Sequence, residues 1–404
     1  MAQTLRNTCC NDDSQELPAG FAMAEVIEIN SLEELQPYQL AWNALHLQTP
    51  RASFFQTYDW FVTFWRHHGA NQQMRVLIVR SSDSTIGILP LCIVEKEYRL
   101  TTVRVLTYPL SDWGMWYGPL GPNRSATLFM ALQHLRNTHR EWDVIDLCWT
   151  SGASGDGDAT RRAMSAAGWQ PQSAPHQESS VVRFSETNWE DYHRGLSKKW
   201  RHEIRRQTRN LQREGTVEFI RHRPQSAADG DGDPRWDLFD QCVEISRGGW
   251  QAKVTNGNTL CHDSVLEFLT DCHAQAARLG MMDMAILQFA GTPVAFQYNY
   301  FSRGEVSGLR MGYLSAMRDK GVGKLLLAKF IEDSFERGDQ SLDLGIGEYD
   351  FKSRFRTNVE TSYRYCYYPW NALRGQGVRL TQWLKQRLTN DRTVKETKAK
   401  PAIA

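Results

Sequence analysis

Between residues 282 and 344 this chain orders its apolar runs in a way that few folds can satisfy. Three runs rich in β-branched, aliphatic and aromatic residues, at 282–289, 293–301 and 305–314, follow one another closely. The connectors Ala290-Gly291-Thr292 and Ser302-Arg303-Gly304 have the length and composition of hairpin turns. A helical pattern follows, with Val322, Leu326, Phe330 and Leu327, Ile331, Phe335 on its apolar stripe and Gly338 as its C-terminal cap. Another strand pattern comes at 341–344. Strands joined by hairpins, then one crossover helix, then a further strand imply a mixed sheet. This part of the chain is therefore expected to be α/β.

The helix at 322–337 starts from a short glycine-bearing loop, Arg318-Asp319-Lys320-Gly321-Val322-Gly323-Lys324. Glycines permit a tight turn and leave amide N–H groups uncovered by side chains. A helix beginning there directs its unpaired N–H groups and the positive end of its dipole at the same spot. With Arg318, Lys320 and Lys324 around it, the loop is a candidate anion site of a size suited to a pyrophosphate. Its residues Arg318, Lys320, Gly321, Val322, Gly323 and Lys324 are the candidate cofactor-binding set. The loop lacks the third glycine of a dinucleotide fingerprint and the Gly-Lys-Ser/Thr ending of a P-loop. A plain helix entry without ligand is the structural alternative.

A length of 404 residues allows two domains of ordinary size. The net charge of +1 supplies no global basic field of the kind a dedicated nucleic-acid binder uses. No run approaches the length of a membrane-spanning helix, and the N-terminus is polar where a signal peptide needs an apolar core. A cytoplasmic, soluble protein is expected. None of the eight cysteines forms a Cys-x-x-Cys pair, so no metal site is expected. Cys261-His262 and Cys272-His273 read as small buried thiols and surface histidines on a helix. The tryptophans, Trp60 with Trp65 and Trp113 with Trp116 among them, read as core fillers. An aromatic groove is the alternative.

Residues 1–24 and 386–404 read as disordered. Between them lie two blocks of similar grammar, 25–185 and 186–385. The first shows helical patterns at 32–45 and 58–67, strand patterns at 75–80, 86–95 and 103–106, a helix at 126–138 and a strand at 144–149. The stretch 151–158 reads as a loop, followed by a short helix. The second opens with a basic helix at 197–214, a strand at 217–221 and helices at 236–246 and 260–279, and ends in a strand at 362–368.

The segment 342–355, Leu-Asp-Leu-Gly-Ile-Gly-Glu-Tyr-Asp-Phe-Lys-Ser-Arg-Phe, carries Asp343, Gly345, Gly347, Glu348 and Lys352. With the glycine loop before it, this resembles the FemAB-like acyltransferases of the GNAT superfamily, in particular the CelD-like branch linked to cellulose biosynthesis. The basic helix and the Leu110-Ser111-Asp112-Trp113 stretch are similar to other parts of that family. The resemblance spans roughly residues 40 to 370. It implies two tandem GNAT-like domains, each a mixed, mostly antiparallel sheet flanked by helices: a degenerate one at 25–185 and an acyltransferase domain at 186–385. It also implies an acyl-CoA co-substrate, acetyl-CoA or longer, and an amine acceptor on a sugar or an envelope or polysaccharide precursor. The Arg-x-x-Gly-x-Gly loop is closer to ordinary acetyl-CoA users than the blurred loop common in the family, which favours acyl-CoA over aminoacyl-tRNA. An aminoacyl-tRNA-dependent transferase and a non-catalytic accessory protein of polysaccharide synthesis are the alternatives.

Acyl transfer to an amine needs a proton acceptor for the amine, a donor for the oxyanion and an acid for the leaving thiolate. Glu348 and Asp350 are candidate bases, Tyr349 a candidate acid, Lys352 an orienting group and Asp343 a supporting group on the strand. Asp112 and Trp113 are candidates for substrate contact in a cleft between the halves. Each has a structural alternative. Glu348 and Asp350 can cap a helix near Tyr349, Lys352 can be a solvated ion-pair partner, and Asp343 can hold a turn. Arg201, Arg205, Arg209 and Arg213 recur every four residues and share a helix face. That face is either solvated or a contact for a polyanion, whether an anionic substrate, a membrane surface or RNA.

Overall fold

The computed structural model describes residues 24–98, 101–109, 112–151, 156–186, 188–249, 252, 259–347 and 349–381. The expectations of disorder at the termini, for residues 1–23 and 386–404, and the role assigned to Glu348 lie outside them.

In chain order the elements are β1 (Ala24–Ile29), α1 (Leu32–Leu35), α2 (Gln39–Gln48), α3 (Tyr58–His68), β2 (Gln72–Ser81), β3 (Ser84–Tyr98), β4 (Thr101–Thr107), α4 (Arg124–Asn137), β5 (Val144–Ser151), α5 (Asp156–Ala166) and β6 (Gln172–Arg183). There follow α6 (Trp189–Gly195), α7 (Lys198–Glu214), β7 (Val217–His222), α8 (Trp236–Gly248), α9 (Asp263–Arg278), β8 (Met282–Phe289), β9 (Thr292–Ser302), β10 (Glu305–Tyr313), α10 (Val322–Arg337), β11 (Ser341–Ile346), α11 (Asp350–Phe355) and β12 (Asn358–Tyr367).

All twelve strands join one sheet, in the order β1-β2-β3-β4-β5-β12-β6-β11-β10-β9-β8-β7. Neighbours are antiparallel except β4–β5 and β10–β11. Each half repeats one plan: four antiparallel strands, a crossover helix (α4 or α10), then a strand parallel to the fourth. This is the mixed, mostly antiparallel α/β architecture expected. The last strands are exchanged. β6 leaves the first half to pair with β11, and β12 leaves the second to pair with β5. The two also pair with each other at the middle of the sheet.

The patterned elements form where expected, with ends shifted by a few residues. The loop expected at 151–158 gives way to α5 at Asp156. Two strands are added, β1 and β6. The sequence of β6, Gln-Ser-Ala-Pro-His-Gln-Glu-Ser-Ser-Val-Val-Arg, lacks apolar alternation over its first eight residues, which are mostly exposed. Backbone pairing with β12 holds this stretch, while Ser179–Val182 at its end are buried and the strand there also pairs with β11.

The stripe of α10 packs on one sheet face with α7: Leu326 and Phe330 meet Trp200, Ile204, Leu287 and Val306 in one cluster. On the opposite face α3, α8 and α9 meet, and Trp60, Phe64, Trp113, Phe268 and Tyr298 share a core there. Trp60 and Trp113 are thus core fillers. His273 is buried rather than on the surface, between Tyr298 Oη (3.0 Å) and the Pro234 carbonyl (2.7 Å). The halves are fastened by Arg303, whose guanidinium donates to the Thr49 carbonyl (2.8 Å) and to His46 and Leu47 at the end of α2.

Candidate active site

The parallel ladder between β10 and β11 is short. It pairs Glu305 with Ser341, Val306 with Leu342 and Ser307 with Asp343, then stops. Beyond it, β10 bulges between Gly308 and Arg310, which takes Leu309 out of register with β9. β11 slips against β6 between Asp343 and Ile346, with Gly345 at φ 78°. Gly308 is needed here, because a methyl group on it would overlap the Asp343 carbonyl oxygen. Two adjacent strands thus depart from regular pairing at the same level. Backbone groups at such a break can face a substrate instead of a neighbouring strand.

Asp343 stands at the break, buried on the sheet face away from α10. Its Oδ1 accepts from the Ser179 hydroxyl and from the Gly345 N–H (2.7 Å), and its Oδ2 accepts from Trp116 Nε1 (3.2 Å). Burial pushes its carboxyl up from the usual range, and the Ser179, Gly345 and Trp116 donors pull it back down. Lys352 projects from α11 to the same bend, where Nζ donates to the carbonyls of Gly345 (3.0 Å) and Ile346 (2.7 Å). It is buried, contrary to the solvated alternative. Burial lowers its ammonium to about 8, opposed by Asp343 and aided by Arg310. A carboxyl raised and an ammonium lowered in one place give groups that exchange protons nearer neutrality than either does in water.

The other expected residues scatter around this centre. Tyr349 is half exposed beside the bend, its ring 5.2 Å from Lys352 Nζ. Asp350 is exposed in the first turn of α11, where it pairs with Arg354 at 2.8 Å and makes no capping bond. Asp112 is exposed at the junction of the halves, where its carbonyl accepts from Arg310 (3.3 Å). Trp113 is buried, with the Arg310 guanidinium 4.0 Å over its ring.

The glycine loop forms the expected helix entry, with Gly321 at φ 70° as the N-cap of α10. It does not stand free. Lys324 Nζ pairs with Glu203 at 2.5 Å, and Lys320 pairs with Glu214, both carboxylates belonging to α7. The Gln207 amide lies against Gly321, close enough that a methyl group there would overlap it. Gly323 and Val322 are buried, and Arg318 is exposed. The stripe Glu203, Gln207, Glu214 of α7 therefore covers the loop, while Arg205, Arg206, Arg209 and Arg213 face solvent.

Between the halves, Asp343 opens onto a narrow cleft of about 50 Å³ that is open to solvent on one side. Trp116, Gln56 and Arg124 line it from the first half, and Ser307, Glu305 and Glu360 from the second. Arg51 crosses it to Glu305 at 2.7 Å. Sequence reasoning missed Ser179 and Trp116 as partners of Asp343. Ser179 lies on the unforeseen strand β6, and Trp116 reaches across 227 positions. A signal for Trp116 was its place among small and aromatic residues, Gly114-Met115-Trp116-Tyr117-Gly118. Its backbone there is left-handed, φ 60°. Among the described residues no group of His, Cys, Asp and Glu could hold a metal ion, and no helix is long and apolar enough to cross a membrane.

Residues 198–353 match the family model described as an acetyltransferase (GNAT) domain. No curated protein matches the chain. Among solved structures, FemX aligns with a TM-score of 0.54 at 9% identity, over 84% of this chain and 96% of its own. L-PGS from Bacillus licheniformis gives 0.47 at 14% identity, over 89% and 97%. A tandem GNAT protein from the clavulanic acid biosynthesis pathway gives 0.43 at 10%, over 85% and 98%. At such identity the likeness to FemX shows a shared fold. The segment 198–353 is thus similar to an acetyltransferase (GNAT) domain, and it lies in a sheet that repeats its plan in both halves.

Proposed function

We propose that the protein is an N-acyltransferase that moves an acyl group from acyl-CoA to an amine bound in the cleft between the halves. The observation that carries this reading is Asp343: a buried carboxylate beside a strand break, opening onto a cleft. In the proposed reaction the neutral amine attacks the thioester carbonyl, the C–N bond forms and the C–S bond breaks. Asp343 takes the amine proton, backbone N–H groups at the Leu309 bulge receive the oxyanion, and Tyr349 gives its proton to the thiolate. Lys352 holds the bend through two carbonyls and so fixes where Asp343 stands. The diphosphate would sit at the Arg318–Lys324 loop. An amino sugar or an envelope precursor as acceptor rests on the resemblance to the FemAB-like and CelD-like enzymes alone.

Glu203 and Glu214 occupy the lysines a diphosphate would use, so they compete with it. Thermal-shift titration with CoA, acetyl-CoA and longer acyl-CoAs should raise Tm in the wild type, and more strongly in Glu203→Gln. No shift in either protein would rule out the CoA donor.

One observation favours a second reading, an aminoacyl-tRNA donor. The loop is already covered by α7, whose outer face carries Arg205, Arg206, Arg209 and Arg213. A Tm response to charged tRNA but not to CoA, weakened by salt and by Arg205→Gln with Arg209→Gln, would select it.

A further inference from the structure

We propose that the C-terminal helix beginning at Leu373 is a membrane-surface contact that seats the protein on an anionic bilayer. The helix runs from 373 to 381 within the described residues. Its inner side is fixed. Val378 packs with Val103, Val105 and Val144, and Gly375 lies so close to the Asp143 carbonyl that a side chain there would collide with it. Its outer side carries exposed leucines where a surface helix is ordinarily polar. Leu373 is 86% exposed and Leu380 58%, and Trp370, just before the helix, is 84% exposed. Leu373 and Leu380 are seven residues apart, two turns on one side of the helix.

The charge around this stripe says what covers it. Arg374 and Arg379 are exposed on the same helix, and Arg140 joins them by donating to Asn371 Oδ1 at 2.6 Å. From 368 to 381 the sequence has Arg374 and Arg379 and no Asp or Glu. Two leucines and a tryptophan edged by arginines suit a helix lying in the headgroup region, where cations meet phosphates and apolar side chains enter the acyl boundary. A second copy of the chain fits less well. A symmetric contact through Leu373 and Leu380 would bring Arg374 and Arg379 of both copies together with no acid to pair them. A nucleic acid would use the cations but would gain nothing from exposed leucines. The inference is independent of which acyl donor is used.

The test is co-sedimentation of the full chain with phosphatidylcholine vesicles, with and without phosphatidylglycerol. The wild type should pellet with the anionic vesicles, less so as salt rises. Leu373→Ser with Leu380→Ser should lower partitioning about tenfold or more. Arg374→Gln with Arg379→Gln should remove the preference for phosphatidylglycerol. These side chains are exposed, so Tm should hold in both variants and report that they fold. Wild type that stays in the supernatant overturns the proposal. So does a leucine variant that pellets like wild type, or binding lost only in Arg205→Gln with Arg209→Gln of α7. A dimeric wild type made monomeric by the leucine substitutions, with no vesicle binding, assigns the stripe to a second copy and equally overturns it.

Discussion

Asp146 and Asp343 hold the same place in the two halves of the sheet. Each is the last residue of its strand to pair with the parallel neighbour, Asp146 with Thr107 and Asp343 with Ser307. Their cross-strand partners are Cys366 and Val181 on the exchanged strands. Two residues before each partner stands the side chain that meets the carboxylate. Arg364 grips Asp146 through two bonds, at 2.6 and 2.5 Å, with Lys96 at 3.7 Å. Ser179 donates a single hydroxyl to Asp343. One plan therefore gives a neutralised carboxylate in the first half and, in the second, one held only by neutral donors.

That contrast predicts opposite phenotypes for the same substitution. Asp146→Asn removes the charge partner of Arg364 and should cost about 2 kcal/mol of stability, with activity per folded molecule unchanged. Asp343→Asn should abolish transfer. Because burial raises the Asp343 carboxyl in the folded protein, the native state binds the extra proton between the unfolded and folded pKa values. Stability from this group falls as pH rises through that window. The stability difference between wild type and Asp343→Asn should therefore move in favour of the variant as pH rises. A pH-independent difference measured by denaturant melts would contradict the raised carboxyl.

The donors around Asp343 make a second prediction. Ser179 is the strongest of the groups that lower its pKa, and Trp116 is the weakest of the three donors. Ser179→Ala and Trp116→Phe should each move the acidic limb of the rate profile to higher pH, Ser179→Ala further. A limb that stays in place in both variants would mean that another group titrates in the reaction.

Much of this was legible in the chain because it rests on local chemistry. The hairpins at Gly291 and Gly304, the glycine loop and the strand after it follow from turn residues and apolar period. What was not legible rests on long-range pairing. β6 is polar and contains a proline, yet it lies in mid-sheet because β12 and β11 satisfy its two edges. With β6 unseen, Ser179 could not be placed against Asp343, and Asp343 read only as a supporting group. The cover over the glycine loop was hidden for a similar reason. Glu203 and Glu214 sit in a helix dominated by arginines, and only packing Trp200 and Ile204 against α10 turns those acids towards Lys324 and Lys320.

Lys352 gives a third prediction, again with a sign. Its ammonium is lowered from 10.5 to about 8, so between those values the unfolded chain holds a proton that the native state has released. Stability should rise with pH across that window. Lys352→Met should abolish the rise. It should also lose stability below it, since the Gly345 and Ile346 carbonyls lose their donor. Denaturant melts on either side of the window would show both effects.

The break between β10 and β11 depends on Gly308. A β-carbon there meets the Asp343 carbonyl oxygen, a backbone atom that no rotamer change can move aside. Gly308→Ala should therefore push the strands apart and cost about 1–3 kcal/mol, the usual range for overpacking. Gly291, in the β8–β9 turn at φ 75°, has open space around it, so Gly291→Ala carries backbone strain alone, about 1–2 kcal/mol. The two variants should have similar melting temperatures. If the site is built on the contact between Gly308 and Asp343, only Gly308→Ala should lose transfer activity when both are assayed well below Tm. Equal activity in the two would place the reacting groups elsewhere than at this break.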